Sequence, residues 1–392
     1  MALAVQELAL RGLLSFGPDS APLELRRLNV LIGPNGSGKS NFLEALALLR
    51  AAPTKLAAPV RGTGGGVTEW LWKGAPAGPA SVAAVLPYTP GAQPLRHRLR
   101  FAAADSRFEL VAEDIADANR LAGESEPRMH YAYGDGRGPV VVAREAGREQ
   151  RVELDDWSAE DSILAEWSDP VRCPELAHLK RVYTGFRLYR ESPFGRMSLL
   201  RQPQRADMPS DRLEEDFSNL GLVLNRLRET PAVKRAITAQ LRDLYDGLED
   251  FDVRIKGGTV EVYLTEGDFT IPASRLSDGT LRYLCLLAIL LDPDPPCLIG
   301  IEEPELGLHP DLLPRIADLL VAASERTQLV VTTHSDILVD ALTEQPEAVV
   351  VVEKHVGQTH AERLSAAELA TWLEEHRLGQ LWTRGQIGGT RW

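Results

Sequence analysis

No apolar stretch in these 392 residues is long enough to cross a bilayer. The longest, Tyr283 to Leu291, stops at Asp292, well short of the ~20 residues a membrane-spanning helix needs. The first residues, MALAVQELALRG, lack a basic n-region and carry Glu7, so no secretory leader is expected. Cysteine is scarce. Cys173, Cys285 and Cys297 show no metal or redox spacing, and two of them lie in apolar runs, which fits a reduced, cytoplasmic setting. Surplus positive charge is lacking too: a formal net charge of −13 argues against a protein that coats nucleic acid nonspecifically. Any DNA contact has to come from a local basic patch. No internal repeat or low-complexity tail occurs, and recurrent proline between the two ends excludes a long coiled coil.

What is present is an ordinary globular composition, with 44% hydrophobic and 25% charged residues, enough to bury a sizeable core. The length admits two or three units, or one domain with a large insertion. Residues 3–10 and 23–32 read as strands, the second ending in LNVLI. Pro/Gly/Ala-rich connections follow at 51–66 and 74–80. From 81 to 154 short alternating segments such as LRHRLRFAA and RVELDD predict an antiparallel β lobe. Residues 158–248 read as mostly helical, with DRLEEDFSNLGLVLNRLRE and PAVKRAITAQLRDLYDGL the clearest segments and Pro231 in a first turn. Strands return at 251–271, and the remainder alternates in α/β fashion: RLSDGT, CLIGIEEPE, QLVVTTHSD and AVVVVEK each precede a helical segment.

Residues 33–40, GPNGSGKS, match G-x-x-x-x-G-K-[ST] in full, between an apolar strand and an amphipathic helix. Glycines let backbone N–H groups converge on phosphate oxygens, and the helix N-terminus adds roughly half a positive charge. The expected nucleotide-binding set is Gly33, Asn35, Gly36, Ser37, Gly38, Lys39, Ser40 and Asn41. Lys39 is expected to reach the β- and γ-phosphates of ATP, and the Ser40 hydroxyl to ligate Mg²⁺.

Cys297–Ile301 is an apolar strand that ends in Glu302-Glu303-Pro304-Glu305. Adjacent carboxylates at the end of a buried strand are costly unless a cation or a reacting water uses them. Successive strand residues point to opposite faces, which predicts Glu302 in the Mg²⁺ shell and Glu303 as general base toward water. The other reading is a loop start that is merely acidic. Residues 328–336, QLVVTTHSD, form another apolar strand ending in His334. That histidine either touches the γ-phosphate or attacking water, or caps the strand structurally.

A second small glycine turn, RLSDGTLR at 275–282, opens the apolar run LRYLCLLAILL. By itself it is a helix start capped by Ser277 or Asp278. Taken in order, GPNGSGKS, LSDGTLR, the IEEPE…LHP run and TTHS resemble the ABC-type ATPases of the RecF/SMC/OLD group, in particular compact RecF-like AAA family ATPases. The resemblance covers residues 1–50 and 250–350 closely and the middle weakly. It implies an α/β fold: a P-loop ABC-type ATPase head with a mixed sheet, built from 1–66 and 250–392, plus an antiparallel-β and helical lobe inserted at 67–249. It implies that Ser277, Asp278 and Gly279 bind the γ-phosphate of ATP held by a second copy, in a homodimer that sandwiches two ATPs. It also implies a DNA-linked role, in repair or in anti-phage defence beside a separate effector protein. WLWKG at 70–74 and the ending LGQLWTRGQIGGTRW share the likeness without an assignable chemistry.

The chain departs from that pattern in three ways. No glutamine stands where many ABC ATPases have a Mg²⁺-sensing loop, since Gln93 sits in a Pro-rich turn. The insertion is too short for SMC arms. Only a short segment follows AVVVVEKH, so the expectation is a chain without the Toprim nuclease domain of OLD proteins. The alternative function is an ATP-gated scaffold that controls an effector with little turnover; the nucleotide-binding subunit of a transporter is a third, weaker reading. The arginine-rich run 187–205 is open to two readings, a DNA patch, or a solvated loop or segment paired with the chain's many acids. Arg96, His97, Arg98 and Arg100 are a weaker candidate patch. The glycine run 62–66 reads as a plain linker or as a flexible loop near the nucleotide, and Trp70, Trp72, Trp157, Trp167, Trp372 and Trp382 as core or interface anchors.

Overall fold

A computed structural model describes residues 3–62, 65–74, 78–91, 93–134, 137–145, 148–154, 158–167, 169–190, 194–244 and 247–389. Trp157, residues 63–64 of the glycine run, 191–193 of the arginine-rich run and 390–392 of the tail lie outside them. The chain divides into two compact units. The first holds Ala2–Phe186, Val350–Leu364 and Ile387–Trp392; the second holds Arg187–Val349 and Ser365–Gln386. The division falls at Phe186/Arg187, so the residues read as one inserted lobe are shared between the units.

In the first unit, strands β1 (Glu7–Arg11), β2 (Leu23–Glu24), β3 (Leu28–Ile32), β4 (Ala80–Leu86), β5 (Leu95–Ala104), β6 (Arg107–Asp117), β7 (Met129–Gly134), β8 (Arg137–Glu145) and β9 (Arg148–Glu153) follow one another in the chain. All but β3 join one eight-stranded sheet in the order β2-β1-β4-β5-β6-β7-β8-β9. The paired registers from β1 to β9 are antiparallel, in line with the alternation seen in the sequence. On β5, Leu95, Leu99 and Phe101 are fully buried while Arg96, Arg98 and Arg100 face the other side. A bulge between Arg100 and Phe101 marks where the β5–β6 register shifts.

His97 lies on the buried face and is held there by polar partners. Its Nδ1 is 3.0 Å from Tyr183 Oη and its Nε2 is 2.9 Å from Glu113 Oε1. Glu113 also accepts from Ser162 Oγ and from the Ile163 N–H. A fully buried carboxylate and imidazole persist because each finds a partner. Histidine 97 is therefore a core residue, separated from the arginines with which it alternates. Helix α1 (Lys39–Ala51) follows β3, and helix α2 (Pro174–Thr184) buries Leu176, Leu179 and Tyr183.

The second unit begins at Arg187, within β10 (Phe186–Tyr189), and continues through β11 (Gln204–Arg205), α3 (Leu220–Arg228), α4 (Pro231–Arg242), β12 (Leu248–Lys256), β13 (Thr259–Glu266) and β14 (Phe269–Pro272). Strand β13 pairs with β12 along one edge, while β11 and β14 share the other, all antiparallel. Pro231 occupies the first turn of α4, as expected. The helix expected over 211–229 is formed only from Leu220. Ahead of it, the Asn219 side chain accepts from Glu214 N–H and donates to Pro209 O and Arg212 O, so it holds 209–219 as a loop. Phe217 at φ 60° breaks the helical path there as well.

Helix α5 (Asp278–Leu290) is apolar on nearly every side, with Leu281, Tyr283, Leu284 and Leu287 fully buried. Parallel strands β15 (Leu298–Glu302) and β16 (Gln328–Thr332) run beside it in sequence, linked by α6 (Leu313–Ser324). Strand β10 borders β15. Helix α7 (Asp336–Asp340) follows β16. Strands β17 (Val349–His355) and β18 (Gln358–Arg363) return to the first unit as an antiparallel pair, with β3 on the far side of β17. Helix α8 (Leu378–Thr383) packs on α7 in the second unit. Among the described residues no helix is long and apolar enough to cross a membrane.

Candidate nucleotide site

The phosphate loop lies in the first unit, between the fully buried β3 and the N-terminus of α1. Gly33 has φ 150°, and a Cβ there would stand 2.0 Å from Val352 O, so no side chain is tolerated. Gly38 is the N-cap of α1. Lys39 is 5% exposed, and its Nζ donates to Gly33 O at 2.8 Å and Pro34 O at 3.0 Å. The loop's own carbonyls thus hold the ammonium over the helix start. Asn35 and Gly36 are exposed at the tip, while Ser37 is buried and its Oγ has no hydrogen-bond partner.

Two residues not singled out from the sequence brace this loop. Thr359 Oγ1 is 2.6 Å from both Ser37 O and Ser15 Oγ, and its N–H donates to Ser15 O at 2.8 Å. Asn41 Nδ2 donates to Ser15 Oγ at 2.6 Å, so its side chain supports the loop from behind. Ser15 and Thr359 are 344 positions apart in sequence, which hides the pair from any local motif. A buried helix start, a centred ammonium and an orphaned buried hydroxyl together fit a phosphate group.

In the second unit, Glu302 closes β15 opposite Thr332 of β16. Its Oε2 accepts from Arg190 Nε at 3.4 Å. Glu303 has left the strand: it sits at φ 46°, a left-handed conformation that is strained for a non-glycine residue. The expected alternation of faces therefore does not govern Glu303, yet the two carboxylates do reach different partners. The Glu303 N–H donates to Thr332 O at 3.0 Å, its carbonyl accepts from Arg282 Nη2 at 2.8 Å, and its Oε1 lies 3.4 Å from His334 Nε2. Burial pulls the Arg282 pKa down, while Glu305 and Glu303 oppose that shift.

Glu305, for which the sequence suggested no role, fixes the histidine. Its Oε1 accepts from Thr333 Oγ1 and from the His334 N–H, both at 2.7 Å. Glu302, Glu303 and His334 are thus brought together at the ends of two parallel strands.

Ser277, rather than Asp278, caps α5: its Oγ accepts from Thr280 N–H at 3.0 Å and lies 2.8 Å from Thr280 Oγ1. A Cβ on Gly279 would meet Gly307 O at 2.7 Å, so the turn packs against backbone at this point. The Asp278 carboxylate is engaged by the Gly195 N–H at 3.1 Å and by Arg201. Arg201 also donates to Gly195 O, Ser274 O and Leu276 O. Arg282 stacks over the Phe194 ring, 5.3 Å from its centroid. Much of the arginine-rich run is consequently engaged with its own chain: Arg190 by Glu302, Arg201 by Asp278 and Arg205 by Asp207.

A phosphate loop after a buried strand, an acidic strand end facing a histidine and a serine-capped glycine turn are what a P-loop ATPase presents. The chain belongs to the family described as "AAA domain, putative AbiEii toxin, Type IV TA system", which residues 28–340 match. Its fold is that of SMC heads. It is similar to an Smc head bound to the C-winged helix domain of ScpA, at 14% identity, with a TM-score of 0.59 and coverage of 93% of this chain and 99% of that one. It is also similar to the Smc head with an extended coiled coil from Pyrococcus furiosus, bound to the C-terminal domain of ScpA (14% identity, TM-score 0.57, coverage 96% and 99%). A third likeness is to the Smc head with a coiled coil and joint from Pyrococcus yayanosii (12% identity, TM-score 0.55, coverage 96% and 99%). Among curated proteins, none matches.

Proposed function

We propose that this chain hydrolyses ATP as a head-to-tail homodimer and uses the cycle as a switch in DNA repair or anti-phage defence. The observation that carries the reading is Glu303, held in a left-handed turn with its carboxylate against His334. Residues forced into such conformations concentrate where chemistry is done.

Gly33, Gly36 and Gly38 bring backbone donors to the triphosphate, with Asn35, Ser37 and Asn41 completing the loop, and Lys39 balances the charge of the β- and γ-phosphates. Glu303 accepts a proton from water as the water oxygen bonds to the γ-phosphorus; the bond to the bridging oxygen breaks, and ADP leaves. His334 holds that water or the γ-phosphate, and Glu305 keeps the histidine in place. Ser40 and Glu302 are the residues that would hold Mg²⁺, which supplies charge neutralisation on the phosphates. Ser277, Asp278 and Gly279 present the start of α5 to the γ-phosphate on the partner chain.

The test is steady-state ATP hydrolysis by the purified protein, with and without single- and double-stranded DNA, at low and physiological salt. Turnover stimulated by DNA, less so as salt rises, is expected. ATP binding with negligible turnover, indifferent to DNA, would overturn the proposal and leave an ATP-gated scaffold for a separate effector protein.

A further inference from the structure

The outer face of the eight-stranded sheet carries a groove of about 400 Å³ that includes Arg11, Arg96, Arg98 and Arg100. Antiparallel register sets its shape. Arg11 of β1 and Arg100 of β5 both pair with Ser81 of β4, and Ala9 and Arg98 both pair with Ala83. Residues opposite one another on neighbouring strands share a face. Small side chains on β1 and β4 thus floor a trough, and guanidinium groups rim it on both sides.

The charge in this groove runs against that of the whole chain. Four arginines stand here with the carboxylates of Glu7 at one end, Glu24 opposite Glu7 on β2, and Asp114 beside the groove, in a protein of net charge −13. Asp114 serves two of them at once: Arg98 Nε donates to its Oδ2 at 2.6 Å, and Arg96 Nη2 is 3.9 Å from its Oδ1. Arg96 Nε is buried with no hydrogen-bond partner. Among the described residues no carboxylate pairs with Arg11. Buried donors without acceptors are costly, and a groove that holds one beside surplus positive charge suits an anion.

We infer that this groove binds the phosphodiester backbone of a nucleic-acid strand. Arg96, Arg98 and Arg100 alternate on one strand and stand about 6.7 Å apart, close to the separation of successive phosphates. Guanidinium groups match phosphate oxygens two at a time. An acidic peptide fits less well. Strands β4 and β5 are each paired on both sides, and β1 is paired with β4 on one side and with β2 over Glu7 and Leu8 on the other. The strands that carry Arg96, Arg98 and Arg100 and floor the groove at Ser81 and Ala83 therefore offer no edge to which an extended peptide can add. Only side chains are available, which is how a phosphate backbone is held. The inference deepens the DNA-linked part of the proposed function and does not require ATP turnover.

The test uses the full chain, without nucleotide, and a short fluorescent duplex and single strand titrated by anisotropy at several salt concentrations from about 50 to 200 mM. Wild type is expected to bind with a steep loss of affinity as salt rises. Arg11→Ala with Arg100→Ala should weaken binding at least about tenfold and flatten the log–log salt slope by about 1.4 to 1.8, for two lost phosphate contacts. The matching pair of lysine substitutions should restore most of the slope. Circular dichroism and basal ATP hydrolysis, measured on the same preparations, should not change, which separates this result from any failure of the hydrolysis reading. Equal affinity and slope in the alanine variant would overturn the inference. So would a wild type that binds polyglutamate through these arginines but no nucleic acid.

Discussion

Glu303 and His334 meet across the ends of two parallel strands, Oε1 to Nε2, at 3.4 Å. Neither side chain is positioned by its own rotamer alone. The left-handed backbone at Glu303 turns its carboxylate off the strand line, and Glu305 grips the His334 N–H. Glu303→Gln keeps the shape and removes the base. It should bind ATP as wild type does and lose turnover by roughly 10²–10⁴-fold. Rapid-quench and steady-state assays check this, and near-normal hydrolysis would remove Glu303 from the mechanism.

Ser277 caps α5 within its own chain and, in the proposed dimer, also faces ATP on the partner. Ser277→Arg sets a bulky cation at the tip of the helix. ATP binding by the monomer should persist, because the phosphate loop belongs to the other unit, while ATP-dependent self-association should disappear. Analytical ultracentrifugation decides the point: a mutant that associates as well as wild type rules out the role assigned to this turn.

Arg201 ties the 195–201 segment to the same turn through Asp278 and two carbonyls, Ser274 O and Leu276 O, and also donates to Gly195 O within its own segment. The Arg201 guanidinium holds the Asp278 carboxyl below its ordinary value of 3.8. Because the folded-state pKa is depressed, the ion pair is intact above that value and is lost only as pH falls through the depressed one. Its contribution should therefore be constant across neutral pH. Arg201→Ala should weaken self-association about tenfold, the scale of one lost charge-assisted hydrogen bond, with monomer ATP affinity unchanged. Arg201→Lys should recover part of it. A lower unfolding temperature with unaltered association would make Arg201 merely structural.

Burial pushes the thiol pKa up at Cys285, Cys297 and Cys173. The thiolate is the reactive form, so all three should resist alkylation in the native protein at mildly alkaline pH and react together on unfolding. A timed thiol titration measures this. Fast modification of any one under native conditions would contradict the burial described.

Residues that form the phosphate loop are contiguous, and for that reason GPNGSGKS, its strand and its helix were legible in the sequence. The apolar run after Ser277 was equally plain. The supports of these motifs were hidden because they come from distant positions: Thr359 and Ser15 behind the loop, and Arg201 behind Asp278. The left-handed turn at Glu303 gave no sign, since glutamate does not mark φ > 0 as glycine does. Of the two readings open for the dense run at 187–205, pairing with the chain's own acids is the one found at Arg190, Arg201 and Arg205. Alternation alone could not show that Arg96, Arg98 and Arg100 of β5 share a groove with Arg11, because that neighbour comes from a distant strand. Over 211–219 helical propensity gave way to the Asn219 side chain, which bonds backbone groups that a helix would have used.

The most direct test is light scattering of Glu303→Gln with and without saturating ATP, alongside an ATP-binding assay on the same sample. Slow turnover should trap the sandwich, so a mass of 43.0 kDa without nucleotide should double with ATP and Mg²⁺, and Ser277→Arg in the same background should abolish the doubling. A variant that binds ATP yet keeps the same mass would contradict the head-to-tail dimer.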